Sequence, residues 1–357
     1  MTTQTNTLNA GVPSTTINLI NAEFEKIFSK ALMTVTPDAD FVQVRTTRGK
    51  YIDLAGLLQT PQVRIWKDQK RFNSMNFVFN PVAMAPLEAS IFIDEFDMMG
   101  DVVGLYGDAI ASLAAQGKFF TDTAFASVVQ SGWASEYTNL VQNGDLDFGP
   151  SNTIFGDNVF LSLSGSAGAS SGTGHVYLGT NVAAQPNVVY GELYDPLTWR
   201  TAVGLMESYV GDKGTPMKVM PQTVVCTAVD KPDVITGLAA KFAAVDARPT
   251  ITSTDAIPRV SLDNTGINTY GLQIKKVAQL YNNPGVAYLL GQAQGGILPV
   301  YQYMLQQLHL TPSVSPTDAS VFYNHRFEYS MTGFGRQIIP LWHNIIRIVS
   351  PTIAKYQ

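Results

Sequence analysis

The sequence has little charge for its length. Only 14% of its 357 residues are charged, against roughly 25% in a typical soluble domain. A soluble monomer normally carries charge over most of its surface, and a surface poor in charge is easier to desolvate. The composition therefore indicates extensive contact between subunits. The alternative is a neutral secreted or periplasmic domain.

A basic nucleic-acid-binding arm is also missing. The net charge is −5, and the first basic residue, Lys26, follows Glu23 and Glu25. Condensing nucleic acid by neutralising phosphates needs clustered Lys and Arg. The sequence thus excludes a coat that packages nucleic acid through a basic N-terminal arm.

Residues that carry chemistry are scarce. The single cysteine, Cys226, excludes an internal disulfide and a cysteine-based zinc cluster. Residues 168–174 are rich in Gly but lack the Lys-Ser/Thr ending of a phosphate-binding loop. The four histidines show no ligand spacing; they are His175, His309, His325 and His343. We therefore expect no enzyme activity, no bound metal and no cofactor.

Targeting and membrane segments are absent from the sequence as well. Residues 1–6 lack the charged and apolar regions of a signal peptide, and no apolar run approaches the ~20 residues that span a bilayer. We expect a protein that is made in the cytoplasm and has no membrane partner.

The first 92 residues divide into an arm and an extended excursion. In residues 1–40, a polar stretch precedes apolar residues at helical spacing: Ile20, Phe24, Ile27, Phe28 and Leu32. Residues 41–92 are predicted to be extended, because 41–45 and 75–79 alternate apolar and polar side chains, as half-buried strands do. Their first part, 45–71, holds seven basic residues and two acidic ones. A long two-stranded excursion cannot bury a core of its own, so we expect it to pack on another surface.

A long helix is predicted at about residues 95–129. Its apolar stripe steps by three and four residues, with Gly117 in the one position that lacks an apolar side chain. It consists of Met99, Val103, Tyr106, Ile110, Leu113, Phe120, Ala124 and Val128. Acidic residues crowd its start, where the helix dipole favours negative charge. About 35 residues would span about 50 Å, which is longer than a compact domain requires.

The rest of the chain is predicted to be a loop followed by a mixed α/β lobe. Residues 130–190 are rich in Gly, Ser and Asn, which favours a surface loop. Asp195 and Pro196 begin a helix that extends to about Tyr209. A strand (218–226), a helix (232–242) and a strand (271–277) follow, and residues 321–346 alternate as strands do.

The order of these elements resembles the Mu-like major head subunit family. The resemblance is carried by Pro61-Gln62-Val63-Arg64-Ile65-Trp66, Ile93-Asp94-Glu95-Phe96-Asp97, Asp195-Pro196-Leu197-Thr198-Trp199, Pro221-Gln222-Thr223-Val224-Val225 and Gly333-Phe334-Gly335. It covers about residues 40–345. It implies an α+β chain with the HK97-type capsid fold.

That fold implies a division of the chain. Residues 1–40 would be an N-terminal arm and 41–92 an extended loop with flanking strands. Residues 93–180 would form a peripheral domain with the spine helix, 181–305 an axial domain, and 306–357 C-terminal strands that return to the peripheral domain.

The resemblance also implies a function, with partners. The chain would be a major capsid protein that assembles through pentamers and hexamers into an icosahedral virion shell, after synthesis in the host cytoplasm. The shell would enclose double-stranded DNA without sequence-specific binding, with scaffolding, portal and decoration proteins as further partners. The alternatives are a tail-tube subunit or another virion structural protein, and a soluble α/β binding protein or hydrolase.

One contact between subunits can be hypothesised from charge. The excursion of one subunit would lie over the acidic surface of its neighbour, with complementary charge setting the register. The basic side is Arg64, Lys67, Lys70 and Arg71, with Trp66 as an aromatic anchor; the acidic side is Glu88, Asp94, Glu95, Asp97 and Asp101. Alternatively, both clusters are solvated faces of one subunit, and Trp66 belongs to the core of the excursion.

Overall fold

The computed structural model describes most of the chain outside several loops. The described residues are 14–49, 51–57, 77–94, 97, 104–131, 161–162, 186–210, 216–239, 270–293, 296–315, 318, 325–339 and 342–351. Much of the Gly/Ser-rich stretch predicted at 130–190 lies outside them.

The described residues form four α-helices and twelve strands, which confirms the α+β class. The helices are α1 (Ser14–Thr34), α2 (Leu105–Ser131), α3 (Pro196–Ser208) and α4 (Lys231–Ala239). The strands are β1 (Gln43–Thr46), β2 (Tyr51–Leu57), β3 (Phe77–Ala83), β4 (Ala85–Asp94), β5 (Leu161–Ser162), β6 (Val188–Tyr190), β7 (Met220–Cys226), β8 (Gln273–Lys276), β9 (Val286–Gln292), β10 (Tyr301–Ser313), β11 (Arg326–Ile338) and β12 (Ile345–Val349). Two short 3-10 helices lie at Ala278–Leu280 and Trp342–Asn344.

The strands form two large sheets and one separate hairpin. The four-stranded sheet has the order β1-β10-β11-β4, and the six-stranded sheet has the order β5-β6-β12-β9-β7-β8. Strands β2 and β3 pair only with each other. In the chain, the hairpin lies between β1 and β4, the two outer strands of the four-stranded sheet, and it is not part of that sheet.

The long helix begins ten residues later than the sequence predicts. Asp94 ends strand β4, and α2 starts at Leu105. Gly104, directly before it, has a φ of +74°, a conformation outside the helical region that glycine adopts readily. The predicted acidic helix start is therefore wrong for Asp94, which is paired in a sheet. The 27 residues of α2 span about 40 Å.

The buried stripe of α2 follows the prediction only in its first half. Ile110 and Leu113 are buried as expected, but farther along Phe125 and Val129 are buried while Phe120 is only half-buried. Steps of three and four average 3.5 residues, whereas the helix turns every 3.6, so the predicted stripe drifts around the helix.

The N-terminal helix packs as its apolar spacing predicts. Phe24 and Phe28 are buried in a core with Ile110 and Leu113 of α2. The rings of Phe24 and Tyr329 meet edge to face with centroids 5.2 Å apart. The hydroxyl of Tyr329 donates a 2.8 Å hydrogen bond to Oδ1 of Asn21. These contacts fix α1 on the long helix α2, which we call the spine helix, and on the four-stranded sheet.

Two hydrophobic cores share the spine helix. The first, which we call the four-stranded core, joins α1, the first half of α2 and the inner face of the four-stranded sheet. The second, the six-stranded core, joins the second half of α2 to the six-stranded sheet, α3 and α4. Each core defines a lobe, and α2 passes from one lobe into the other.

The start of α3 is the element that the sequence predicted most closely. Asp195 is its N-cap, and its Oδ1 accepts a 2.9 Å hydrogen bond from the amide of Leu197, with Pro196 in the first helical position. The helix ends at Ser208. Inside it, Trp199 is fully buried and its Nε1 donates a 2.7 Å hydrogen bond to the carbonyl of Leu193.

Two helical glycines should respond oppositely to the same substitution. A Cβ on Gly237 in α4 would overlap the Leu193 carbonyl and the Trp199 indole, whereas a Cβ on Gly204 in α3 would have no atom within 4 Å. We expect Gly237→Ala to lower the free energy of unfolding by about 2 kcal/mol or more through overpacking. Gly204→Ala should raise it by about 0.5–1 kcal/mol. Urea denaturation measures both, and equal effects would contradict the packing described.

Candidate assembly surfaces

Most of the predicted contact residues lie outside the described part of the chain. These residues are Arg64, Trp66, Lys67, Lys70, Arg71, Glu95 and Asp101. The described parts of the excursion include strands β2 and β3, which pair with each other in antiparallel register. The contact assigned to its basic segment stays a prediction.

The three described acidic residues do not form one compact cluster. Glu88 and Asp97 are exposed, and Asp94 is half-buried at the end of β4. Glu88 lies opposite Thr332 in the neighbouring strand, and Asp94 lies opposite Arg326. Glu88 and Asp94 are six residues apart on one strand, about 20 Å. Because Glu88 and Asp97 are more exposed than Asp94, they are the better candidates for a charged contact.

The outer face of the four-stranded sheet carries an exposed aromatic residue at each end. Phe92 on β4 is 63% exposed and Phe334 on β11 is 40% exposed. The guanidinium of Arg326 lies 4.6 Å from the ring centroid of Phe92, which holds this aromatic group in place through a cation–π contact. Large apolar groups left in water are typical of interaction surfaces when they recur on one face.

Polar side chains fill the middle of this face. Thr332 Oγ1 lies 3.3 Å from His309 Nε2 and 3.4 Å from Thr311 Oγ1. Glu88 on β4 lies directly opposite Thr332 on β11. We call the face formed by these residues with Phe92 and Phe334 the outer face. The same face carries the charged residues Arg326 and Glu328, the latter directly opposite Phe92, so a partner would meet both aromatic and charged groups there.

A second candidate surface lies at one end of the six-stranded sheet. Strand β12 is parallel to β6, β7 is parallel to β8, and β9 is antiparallel to both β12 and β7. Strand β5 is also parallel to β6. The carboxyl ends of five strands and the amino end of β9 therefore meet at one edge, together with the loops that begin α3 and α4.

Hydrogen bonds fix these loops against one another. The carboxylate of Asp230, which is buried, accepts a 2.9 Å hydrogen bond from the amide of Gly285 and a 2.7 Å one from the hydroxyl of Thr227. The hydroxyl of Ser350 donates to Glu192 Oε2 at 2.5 Å. The edge is therefore a rigid platform.

Exposed apolar side chains concentrate on this platform. Val229 is 79% exposed and Tyr281 is 73% exposed. We call the group the apolar end; its members are Tyr194, Leu197, Val229, Ile235 and Tyr281. Our sequence reasoning missed this surface. The available signal was that Val229 and Tyr281 are apolar residues in turn-forming sequence, before Asp230 and before Asn282-Asn283-Pro284.

The described residues offer no site for metal chemistry. Among them, no three His, Cys, Asp or Glu side chains are close enough to share an ion. Burial raises the pKa of the Cys226 thiol to about 12, so it stays protonated and unreactive. In the same part of the chain, no helix is long and apolar enough to cross a membrane.

The apolar end can be tested by comparing one substitution at two valines. Val229→Ser should change the free energy of unfolding by no more than about 0.5 kcal/mol because its side chain is in water. Val225→Ser, at a fully buried position of β7, should cost about 3 kcal/mol. Chemical denaturation measures both. A large loss for Val229→Ser would show that the side chain is buried.

Comparison with known proteins gives structural neighbours only. No family model matches the sequence, and no curated protein matches it. The procapsid of bacteriophage JBD30 is 12% identical with a TM-score of 0.49, over 97% of this chain and 80% of that chain. A structure of Mycobacterium phage Bobi is 8% identical with a TM-score of 0.49, over 98% and 95%. A virus-like particle from Pyrococcus furiosus is 8% identical with a TM-score of 0.44, over 92% and 98%.

Proposed function

We propose that this chain is the major capsid protein of a tailed bacteriophage or phage-like particle, with an HK97-type fold and no enzyme activity. Its function is to assemble with copies of itself into an icosahedral virion shell that encloses double-stranded DNA. The observation that carries the proposal is the hairpin β2–β3, which is inserted between the outer strands of one sheet and pairs with neither large sheet.

An isolated two-stranded hairpin is at best marginally stable in water. Such a hairpin is stabilised when it packs against another surface, and a neighbouring copy of the chain would supply one. The low charge of the chain and the two exposed candidate surfaces support the same conclusion. The long helix α2 argues against a tail-tube subunit, which is expected to lack such a spine.

The two lobes suggest how the chain divides. The four-stranded lobe, with α1 and the first half of α2, would be the peripheral domain. The six-stranded lobe would be the axial domain. The predicted boundary at 305–306 falls within β10, and β12 is paired in the six-stranded sheet, so we place β12 with the axial domain and β10 and β11 with the peripheral domain.

Two contacts between copies follow from this division. The hairpin of one subunit would lie over the outer face of its neighbour, with its basic segment near Glu88 and Asp97. The apolar end would meet its counterparts around the axis of pentamers and hexamers, where exposed aromatic groups can be buried. Scaffolding, portal and decoration proteins would be further partners, and the net charge of −5 fits DNA held without specific binding.

Electron microscopy of the purified protein tests the proposal most directly. Closed shells are expected. Tubes would favour a tail-tube subunit instead, and a monodisperse monomer at all concentrations would overturn both structural functions.

The hairpin contact is tested by reversing charge on both partners. Lys67→Glu with Lys70→Glu should reduce shell formation by about ten-fold or more, since like charges then face one another across the contact. Adding Glu88→Lys and Asp97→Lys should restore part of it. Yield is measured by sedimentation and electron microscopy.

The matched control carries the same change of net charge on the exposed face of α1. Lys26→Glu with Lys30→Glu alters two exposed lysines and should assemble normally. If the hairpin variant also assembles normally, the hairpin contact is wrong although the capsid function would stand.

A further inference from the structure

A layer of polar residues separates the two hydrophobic cores. On α2, Thr121 and Asp122 are buried between Leu113 of the four-stranded core and Phe125 of the six-stranded core. Both polar residues are no more than 6% exposed. Their position in the middle of the helix places them where α2 passes from one lobe to the other.

The strands that cross between the lobes repeat this pattern. On β10, Gln302 is buried beside Tyr301 of the six-stranded core, while Leu310 belongs to the four-stranded core. On β11, Gln337 is buried beside Ile338 of the six-stranded core. Gln302 and Gln337 are directly opposite each other in the sheet. Three separate crossings thus carry a buried polar side chain at the same level.

The segment that joins α1 to β1 also passes between the two lobes, at the level of these buried polar residues. Asp122 Oδ1 accepts a 2.7 Å hydrogen bond from the amide of Ala39, and Oδ2 accepts a 3.1 Å one from the amide of Asp38. The carboxylate of Asp38 accepts a hydrogen bond from the amide of Ala278 at 3.3 Å, and that of Asp40 forms a 2.6 Å salt bridge with Lys275. The segment is therefore bonded to the spine helix on one side and to the six-stranded lobe on the other.

A further hydrogen bond at this level joins strand β11 to helix α2. Gln337 Nε2 donates to the carbonyl of Thr121 at 3.2 Å. Within the described part of the protein, the Oε1 atoms of Gln302 and Gln337 accept no hydrogen bond. Buried polar atoms without partners cost free energy, so the glutamines add less stability than apolar residues of the same volume would.

We infer that this polar layer is an orientation lock that fixes one angle between the two lobes. Its hydrogen bonds join Asp122 to the amides of Asp38 and Ala39, and Gln337 to the carbonyl of Thr121. Gln302, opposite Gln337, contributes a buried polar group at the same level. Apolar contacts are adaptable and would tolerate sliding of one core past the other, whereas hydrogen bonds are satisfied in one arrangement only. Buried polar groups that set register at a cost in stability are known from helical assemblies. The inference concerns the single chain and does not depend on the proposed capsid function.

The test replaces the glutamines with leucine and measures the distance between the lobes. Spin labels are placed on Lys30→Cys in α1 and Asp233→Cys in α4, which are exposed positions on opposite lobes, and pulsed electron paramagnetic resonance gives the distance distribution. The full chain is used, with unlabelled protein in excess, so that every distance is intramolecular. The native Cys226 is buried and does not compete for label.

Gln302→Leu with Gln337→Leu should leave the melting temperature unchanged or raise it. The width of the distance distribution should roughly double, as expected when two packings of similar free energy are both populated. Thr223→Val is the control, because it removes a buried hydroxyl inside one lobe and should leave the width unchanged. A double variant that folds and keeps the narrow wild-type distribution overturns the inference.

If the glutamine double variant does not fold, a second variant tests the same inference. Asp122→Asn keeps the shape of the side chain but replaces one acceptor oxygen with an amino group, so one of the two amides at 38 and 39 loses its partner. The distribution should widen here also. If it stays as narrow as in the wild type, the polar layer does not set the angle between the lobes.

Discussion

The carboxylate of Asp122 accepts hydrogen bonds from two successive backbone amides, and much of the architecture depends on this interaction. It holds the segment between α1 and β1 against the middle of the spine helix. From there the chain runs back into α1, which covers the four-stranded core, and forward to Val42 and β1, which join the six-stranded core and the edge of the four-stranded sheet. Phe41 reinforces the junction through an edge-to-face contact with Phe125, at 5.0 Å between centroids.

The energetics of this junction favour specificity over stability. Burial raises the pKa of Asp122, although the amides of Ala39 and Asp38 lower it in part, while the nearby charges of Asp38 and Asp40 raise it further. A carboxyl whose pKa is higher in the folded state than in the unfolded state binds its proton more tightly when folded. Its contribution to stability therefore grows as the pH falls towards the ordinary value of 3.8. At neutral pH the charged form costs free energy, which is offset by the rest of the fold.

The sequence predicted those elements whose signals are local. The cap at Asp195 and Pro196 and the apolar spacing of Phe24 and Phe28 depend on a few neighbouring residues, and both were confirmed. The start of the spine helix was missed because Asp94 pairs with a strand more than 200 residues away, and long-range pairing overrides helix signals. The role of Asp122 could not be predicted, because an aspartate in a helical sequence gives no local indication that tertiary structure will bury it. The apolar end did have a local signal, in the apolar residues Val229 and Tyr281 of two turn sequences, but only the fold shows that these turns lie at the same end of one sheet.

The angle between the two lobes also depends on long-range contacts, and this angle matters for the proposed assembly. Each lobe has its own hydrophobic core, so each can hold its internal shape by apolar packing alone. Neither core determines how the lobes are set relative to each other, because four crossing segments pass through a layer where apolar contact gives way to hydrogen bonds. A closed shell requires that angle to be defined, since small errors in subunit shape accumulate around a ring and prevent closure. Under the proposed capsid function, a single lobe angle repeated in every copy would compensate for the free energy that these buried polar groups cost.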